Sequence, residues 1–170
     1  MKKVLLGFLV LVGTCMAIEL GHVPPPVTIE GDNGGGIDGK VWSSSMLKGK
    51  VHVLFYVDPD EKDLNNAFAD ALKAKKFSRK KFNSVAIINL AATWLPNAMI
   101  ELKLKEKQKK FPDTTYVKDK KKILVKQWHL ADDNSDILIF DKKGKLIYKK
   151  FGKLSESEIE DVFILIEKEL

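Results

Sequence analysis

Thiols are almost missing from this chain: among its 170 residues there is one cysteine, Cys15. From residue 16 onward nothing can form an internal disulfide, a thiolate nucleophile or a cysteine-metal site. Arginine is almost missing too. Arg79 stands alone, and every other cationic residue is Lys, within a formal net charge of +6 with His neutral. Bidentate recognition of phosphates and base edges favours Arg, so this basic balance does not point to a nucleic-acid partner, and none is expected. Trp94 and Trp128 stand too far apart in sequence to suggest a base-stacking platform. The apolar run from Val4 to Val12 is too short to span a bilayer.

That run has another use. Lys2 and Lys3 precede it, and Cys15-Met16-Ala17 places small residues at the −3 and −1 positions of a cleavage site. Residues 1–17 are therefore expected to be a secretory signal peptide, with the protein exported to the periplasm. Cys15 also has a lipoprotein reading, in which it carries acyl chains. Thr14 before it fits that reading poorly, so the discarded form is favoured. Residues 18–170 are the right size for a single domain.

Within that domain, "HVPPPVTI" is held extended by three prolines, and "EGDNGGGIDG" reads as a loop. Residues 18–40 are thus expected to be irregular. "VHVLFYV" is a strand buried on both faces. From Glu61 to Lys76, Leu64, Ala67, Phe68, Ala71 and Leu72 form one helical stripe. "FNSVAIINL" is a second strand, followed by a lysine-rich helix over 97–111, a strand at "DTTYVKD" and a short helix around Leu124 and Trp128. "SDILIFDKKGKLIYKKFG" is a hairpin turning at Gly144, and Ser155 with Glu158 forms a capping box opening the last helix.

Three polar groups are candidate sites. Asp58, Asp60, Glu61 and Asp63 lie where a strand feeds a helix, the usual place for chemistry in α/β proteins. Four carboxylates can bind a hard cation, but capping and dipole complementarity are the plainer reading, and no metal or cofactor is expected. His129 with Asp132, Asp133 and Asp136 is a second polar cluster, and a His-Asp pair can serve as a general base, with no nucleophile tied to it. The lysines of 103–126 and 142–150 offer a face to anionic membranes or acidic partners, although a solvated surface explains them as well. Oligomeric state is not legible here.

The stretches "KVWSSSMLKGKVHVLFYV", "SDILIFDKKGKL" and "LSESEIEDVFILIEKEL" resemble the YtfJ family of secreted bacterial proteins, within the thioredoxin superfamily. The resemblance implies an α/β, thioredoxin-like three-layer sandwich, with a central mixed β-sheet and helices on both faces. It also implies a periplasmic location and no established activity. Laid on the redox pattern of active thioredoxin relatives, Phe55-Tyr56 sets Asp60 and Asp63 at the two cysteine positions. "SDILIFD" sets Ser135 at the cis-proline position, where a trans bond is expected. Thiol-disulfide exchange and thiol peroxidase chemistry are excluded, since both need a thiolate. The expected function is a non-catalytic protein- or peptide-binding module of the envelope. The alternatives are a metal-dependent or acid-base enzyme at the carboxylate turn, and a lysine-mediated binder of anionic surfaces.

Overall fold

The structure, a computed structural model, describes residues 17–170. The expected signal peptide, save Ala17, and Cys15 lie outside the described residues. In chain order come β1 (Thr28–Ile29), β2 (Gly34–Gly36), β3 (Trp42–Ser43), β4 (Val51–Val57), α1 (Asn66–Ala74) and β5 (Phe82–Asn89). Then follow α2 (Asn97–Lys110), β6 (Thr114–Asp119), α3 (Ile123–Trp128), β7 (Ser135–Phe140), β8 (Leu146–Phe151) and α4 (Glu156–Glu169). Six strands form one mixed sheet in the order β2-β6-β5-β4-β7-β8. β4 and β6 flank β5 in parallel, whereas β7 on β4, β8 on β7 and β2 on β6 are antiparallel.

Alternation along the strands divides the core into two layers. Val51, Val53, Ile137 and Ile139 turn to one face and pack with Phe68 of α1 and with Val162, Phe163 and Ile166 of α4. On the same face, Ala86, Ile88 and Tyr116 receive Ile100 and Leu104 of α2. Leu54, Tyr56, Ile87, Leu138 and Phe140 turn to the other face, against Leu124 and Trp128 of α3. The three-layer sandwich with helices on both faces is therefore as the resemblance implies. His52, a strand histidine, is buried, bonds the Lys50 carbonyl and is held below its ordinary pKa by burial, so its role is structural.

Residues 18–40 carry little regular structure, yet part of the segment is buried. Ile18, Val27 and Ile29 enter the core beside Trp42, and β1 pairs with β3. The Trp128 indole N–H donates to the Pro25 carbonyl at 2.9 Å, which pins the proline run across this face. The glycine run read as a loop is edge strand β2. Gly34 has φ +127, and a Cβ there would sit 1.8 Å from the Lys118 carbonyl oxygen. Only glycine permits that approach. Pattern reading misses such a strand because glycine carries no side chain to alternate.

The first long helix also begins later than its stripe suggests. Asp58 accepts from the Asp60 amide and starts a 3-10 turn over Pro59–Glu61, so α1 opens only at Asn66. At the other end of the chain the capping box is complete. Ser155 Oγ accepts from the Glu158 amide, and the Glu158 carboxylate accepts from the Ser155 amide.

Gly34→Ala brings both a positive φ and a backbone collision, whereas Gly39→Ala brings a positive φ into open space. Urea unfolding should show a loss of about 3 kcal/mol for the first and about 1 kcal/mol for the second. Equal losses would mean that β2 does not pack against β6 as described.

Candidate functional site

The turn after β4 holds its carboxylates apart. Asp58 is buried and committed to the Asp60 amide at 2.8 Å; burial raises its pKa against that bond. Asp60 is exposed. Asp63 accepts from Lys62 and Asn66, each at 2.8 Å, and these partners hold its carboxyl down to about 2. Each oxygen of Asp63 thus has a cationic or amide partner, and the side chains do not converge on a shared cation position. Among the described residues, no group of three or more His, Cys, Asp or Glu side chains is placed to hold a metal ion.

The residue at the start of α1 is Asn65, which no sequence signal singles out. Its side-chain amide donates to the carbonyl of Ser135 at 3.1 Å, to Ser135 Oγ at 3.2 Å and to the carbonyl of Gly152 at 3.2 Å. Its Oδ1 accepts from the Leu154 amide at 3.0 Å. Asn65 therefore ties the start of α1 to the start of β7 and to the chain beyond β8. Ser135 is buried beneath it, and no peptide bond among the described residues is cis. The helix start opposite Ser135 is filled by a bonded amide, and Asp60 and Asp63 lie on the preceding turn.

His129 and Asp136 belong to the other face of the sheet. His129 is exposed in the left-handed conformation at the end of α3, with φ +55. Asp136 is fully buried; one oxygen accepts from the Ala131 amide at 2.9 Å and Oδ1 has no hydrogen-bond partner. Burial raises its pKa to about 7. Nearby, Asp119 accepts from the Tyr56 hydroxyl and from the amides of Lys121, Ile123 and Leu124, so it caps α3 from inside the fold. Asn89 donates to Asp132 at 2.9 Å. Burial raises the Asp132 pKa, but bonds from Lys122 and Asn89 outweigh it and leave the carboxyl below its usual range.

Among the described residues, a concavity lies on the α1/α2 face. It is a groove of about 530 Å³, floored by Phe55, Val57, Ala86, Ile88 and Tyr116 and walled by the two helices. Of the sequence candidates, Asp63 and Ser135 reach it at one end; Asp60, His129 and Asp136 do not line it. The cause of the groove is legible in α2. Ile100 and Leu104 seat the helix on the sheet, while Lys103, Lys107 and Lys110, at i, i+4 and i+7, form a separate stripe. That stripe turns toward α1 instead of closing on it with apolar side chains. Lys107 reaches Asn66 at 2.7 Å and Asp63 at 3.5 Å, and Lys110 reaches Asp70 at 2.7 Å. These exposed pairs contribute at most about 1 kcal/mol each, so they bridge the helices without sealing them together. Burial pushes the Tyr116 phenol on the floor up to about 12.

The comparisons with known proteins agree with this architecture. Residues 29–169 match the family described as "Bacterial protein of unknown function (YtfJ_HI0045)". An "Uncharacterized protein" of Haemophilus influenzae is 31% identical over 128 residues, covering 74% of this chain and 70% of that protein. The "Uncharacterized protein YtfJ" of Escherichia coli is 26% identical over 132 residues, covering 76% of this chain and 72% of that one. The exposed lipoprotein thioredoxin of Streptococcus pneumoniae superposes with a TM-score of 0.60 at 15% identity, covering 85% of this chain and 99% of its own. That likeness is one of fold.

The buried Asp136 gives a pH signature with a definite sign. Its folded pKa is raised from 3.8 to about 7, so its stabilising contribution is complete below about pH 4 and is lost as pH rises through about 7. Asp136→Asn keeps an acceptor for the Ala131 amide and removes the charge. Urea unfolding should find the variant more stable than the parent at pH 8, by on the order of 2 kcal/mol, with the difference vanishing near pH 4. An unchanged difference across that range would contradict a buried, protonated Asp136.

Proposed function

Because the chain belongs to the YtfJ family of bacterial proteins, which assigns no activity, we propose that it is a thiol-free binding module of the bacterial envelope that holds an apolar ligand segment in the groove between α1 and α2. The observation that carries this reading is the groove itself, with an apolar floor under two helices that Lys107 and Lys110 bridge. Pockets of this size and lining are the usual form of small-ligand sites. The basic, apolar N-terminus of the chain supports export to the periplasm. Among the described residues no helix is long and apolar enough to cross a membrane.

The acid-base alternative draws less support. Asp136 is buried away from the groove, Ser135 Oγ is bonded by Asn65, and Asp63 is held by Lys62 and Asn66. The metal alternative draws less as well, since Asp58 is committed to the Asp60 amide and Asp63 to Lys62 and Asn66.

An environment-sensitive apolar dye, anilinonaphthalene sulfonate, tests the reading. The folded protein should enhance its emission saturably, with one site. Ala69→Trp fills the groove from the α1 wall, where Ala69 is half-buried, and should weaken the dye about tenfold while leaving the unfolding midpoint within a few degrees. Dye binding that ignores this substitution would place the site elsewhere and overturn the reading.

A further inference from the structure

We infer that the occupant of the groove is a long-chain fatty carboxylate, with its head at the Lys73–Lys110 end and its tail running between α1 and α2 toward Leu95. The inference rests on the binding reading above and names its ligand class.

Three observations select it. The first concerns backbone pairing. The floor is the face of a sheet whose strands β4, β5 and β6 already pair with one another. Of the hydroxyls that line it, those of Ser84 and Thr114 bond each other at 2.8 Å. An extended peptide lying there would bury N–H and C=O groups without partners, at roughly 1–3 kcal/mol each. Peptide addition works at sheet edges, and here β2 folds back on the Lys40 carbonyl while the start of β8 is bonded to Gly21 and His22. A hydrocarbon chain has no polar group along its length and meets no such cost.

The second is charge. At one end of the groove, the ammonium groups of Lys73 and Lys110 lie 5.6 and 4.9 Å from the centre of the Phe111 ring. Lys110 is shared with Asp70, and Asp113 nearby is taken by Arg79. Five lysines and three carboxylates line the groove, and one added carboxylate at the Lys73–Lys110 end lowers that excess of positive charge. Around Leu95, Ile100 and Ile88 the groove is lined by apolar side chains.

The third is length and a built-in reporter. The fourteen residues of α2 span about 21 Å, the scale of an extended acyl chain rather than of a compact ligand. Trp94, 86% exposed, adjoins Leu95 at the apolar end, whereas Trp42 and Trp128 are buried in the layer on the other face of the sheet.

The test uses myristate, its alcohol tetradecanol, and two brominated myristates. Myristate should displace the anilinonaphthalene dye at least tenfold more tightly than tetradecanol. Lys73→Gln/Lys110→Gln should weaken myristate about tenfold and leave tetradecanol unchanged. Bromine on the terminal carbon should quench Trp94 more than bromine beside the carboxylate, and the difference should disappear in Trp94→Phe. If the dye binds but myristate is no tighter than the alcohol, or the lysine variant changes nothing, the fatty carboxylate is overturned while the groove remains a binding site. Stronger quenching by bromine beside the carboxylate overturns the stated orientation. If neither dye nor myristate binds the folded protein, both readings fall.

Discussion

Four hydrogen bonds converge on the side chain of Asn65, and the arrangement of the site depends on them. They join the start of α1 to Ser135 at the start of β7 and to Gly152 and Leu154 beyond β8. Three distant parts of the chain thereby acquire one fixed relation. The groups satisfied are buried, where an unpaired N–H or C=O costs roughly 1–3 kcal/mol. Because both ends of the Asn65 amide are engaged, the helix start is not free for a substrate.

The surface open to a ligand is displaced as a consequence. The fold shared with thioredoxin-like proteins mounts chemistry at a helix start facing the first residue of the hairpin. In this chain that junction is a clamp, and no thiol exists from residue 16 onward. The adjacent groove is left open because α2 touches the sheet through Ile100 and Leu104 but faces α1 through lysines. Ion pairs of this kind hold two helices at a distance that apolar packing would collapse. A groove is thus made by withholding hydrophobic residues from one helix face, with the cost limited because the sheet floor stays mostly covered.

Much of the architecture was legible in the sequence because it rests on strong local signals. The continuous apolar runs of β4 and β5, the Asp141–Gly144 turn and the Ser155/Glu158 box each specify one structure. The parts that were not legible share a physical reason. Gly34–Gly36 has no side chains to show a strand period, and its pairing depends on an approach to Lys118 distant in sequence. Asn65 looks like any helix-start asparagine until its partners, seventy and more residues away, are in place. The aspartates of the turn are conspicuous in sequence because they carry charge, yet Asp60 is exposed and Asp63 is neutralised locally. The groove is a property of two helices and a sheet together. Its one visible trace was the lysine spacing of α2, which also fits an ordinary solvated face.

The claim that the helix start is a structural clamp and not a reactive position is tested most directly by equilibrium urea unfolding of Asn65→Ala. The amide of Leu154 and the carbonyls of Ser135 and Gly152 would lose a partner each, and the loss expected is about 3 kcal/mol. A variant within about 0.5 kcal/mol of the parent, the range of an ordinary surface substitution, would contradict the clamp and return Asn65 to the residues held for function.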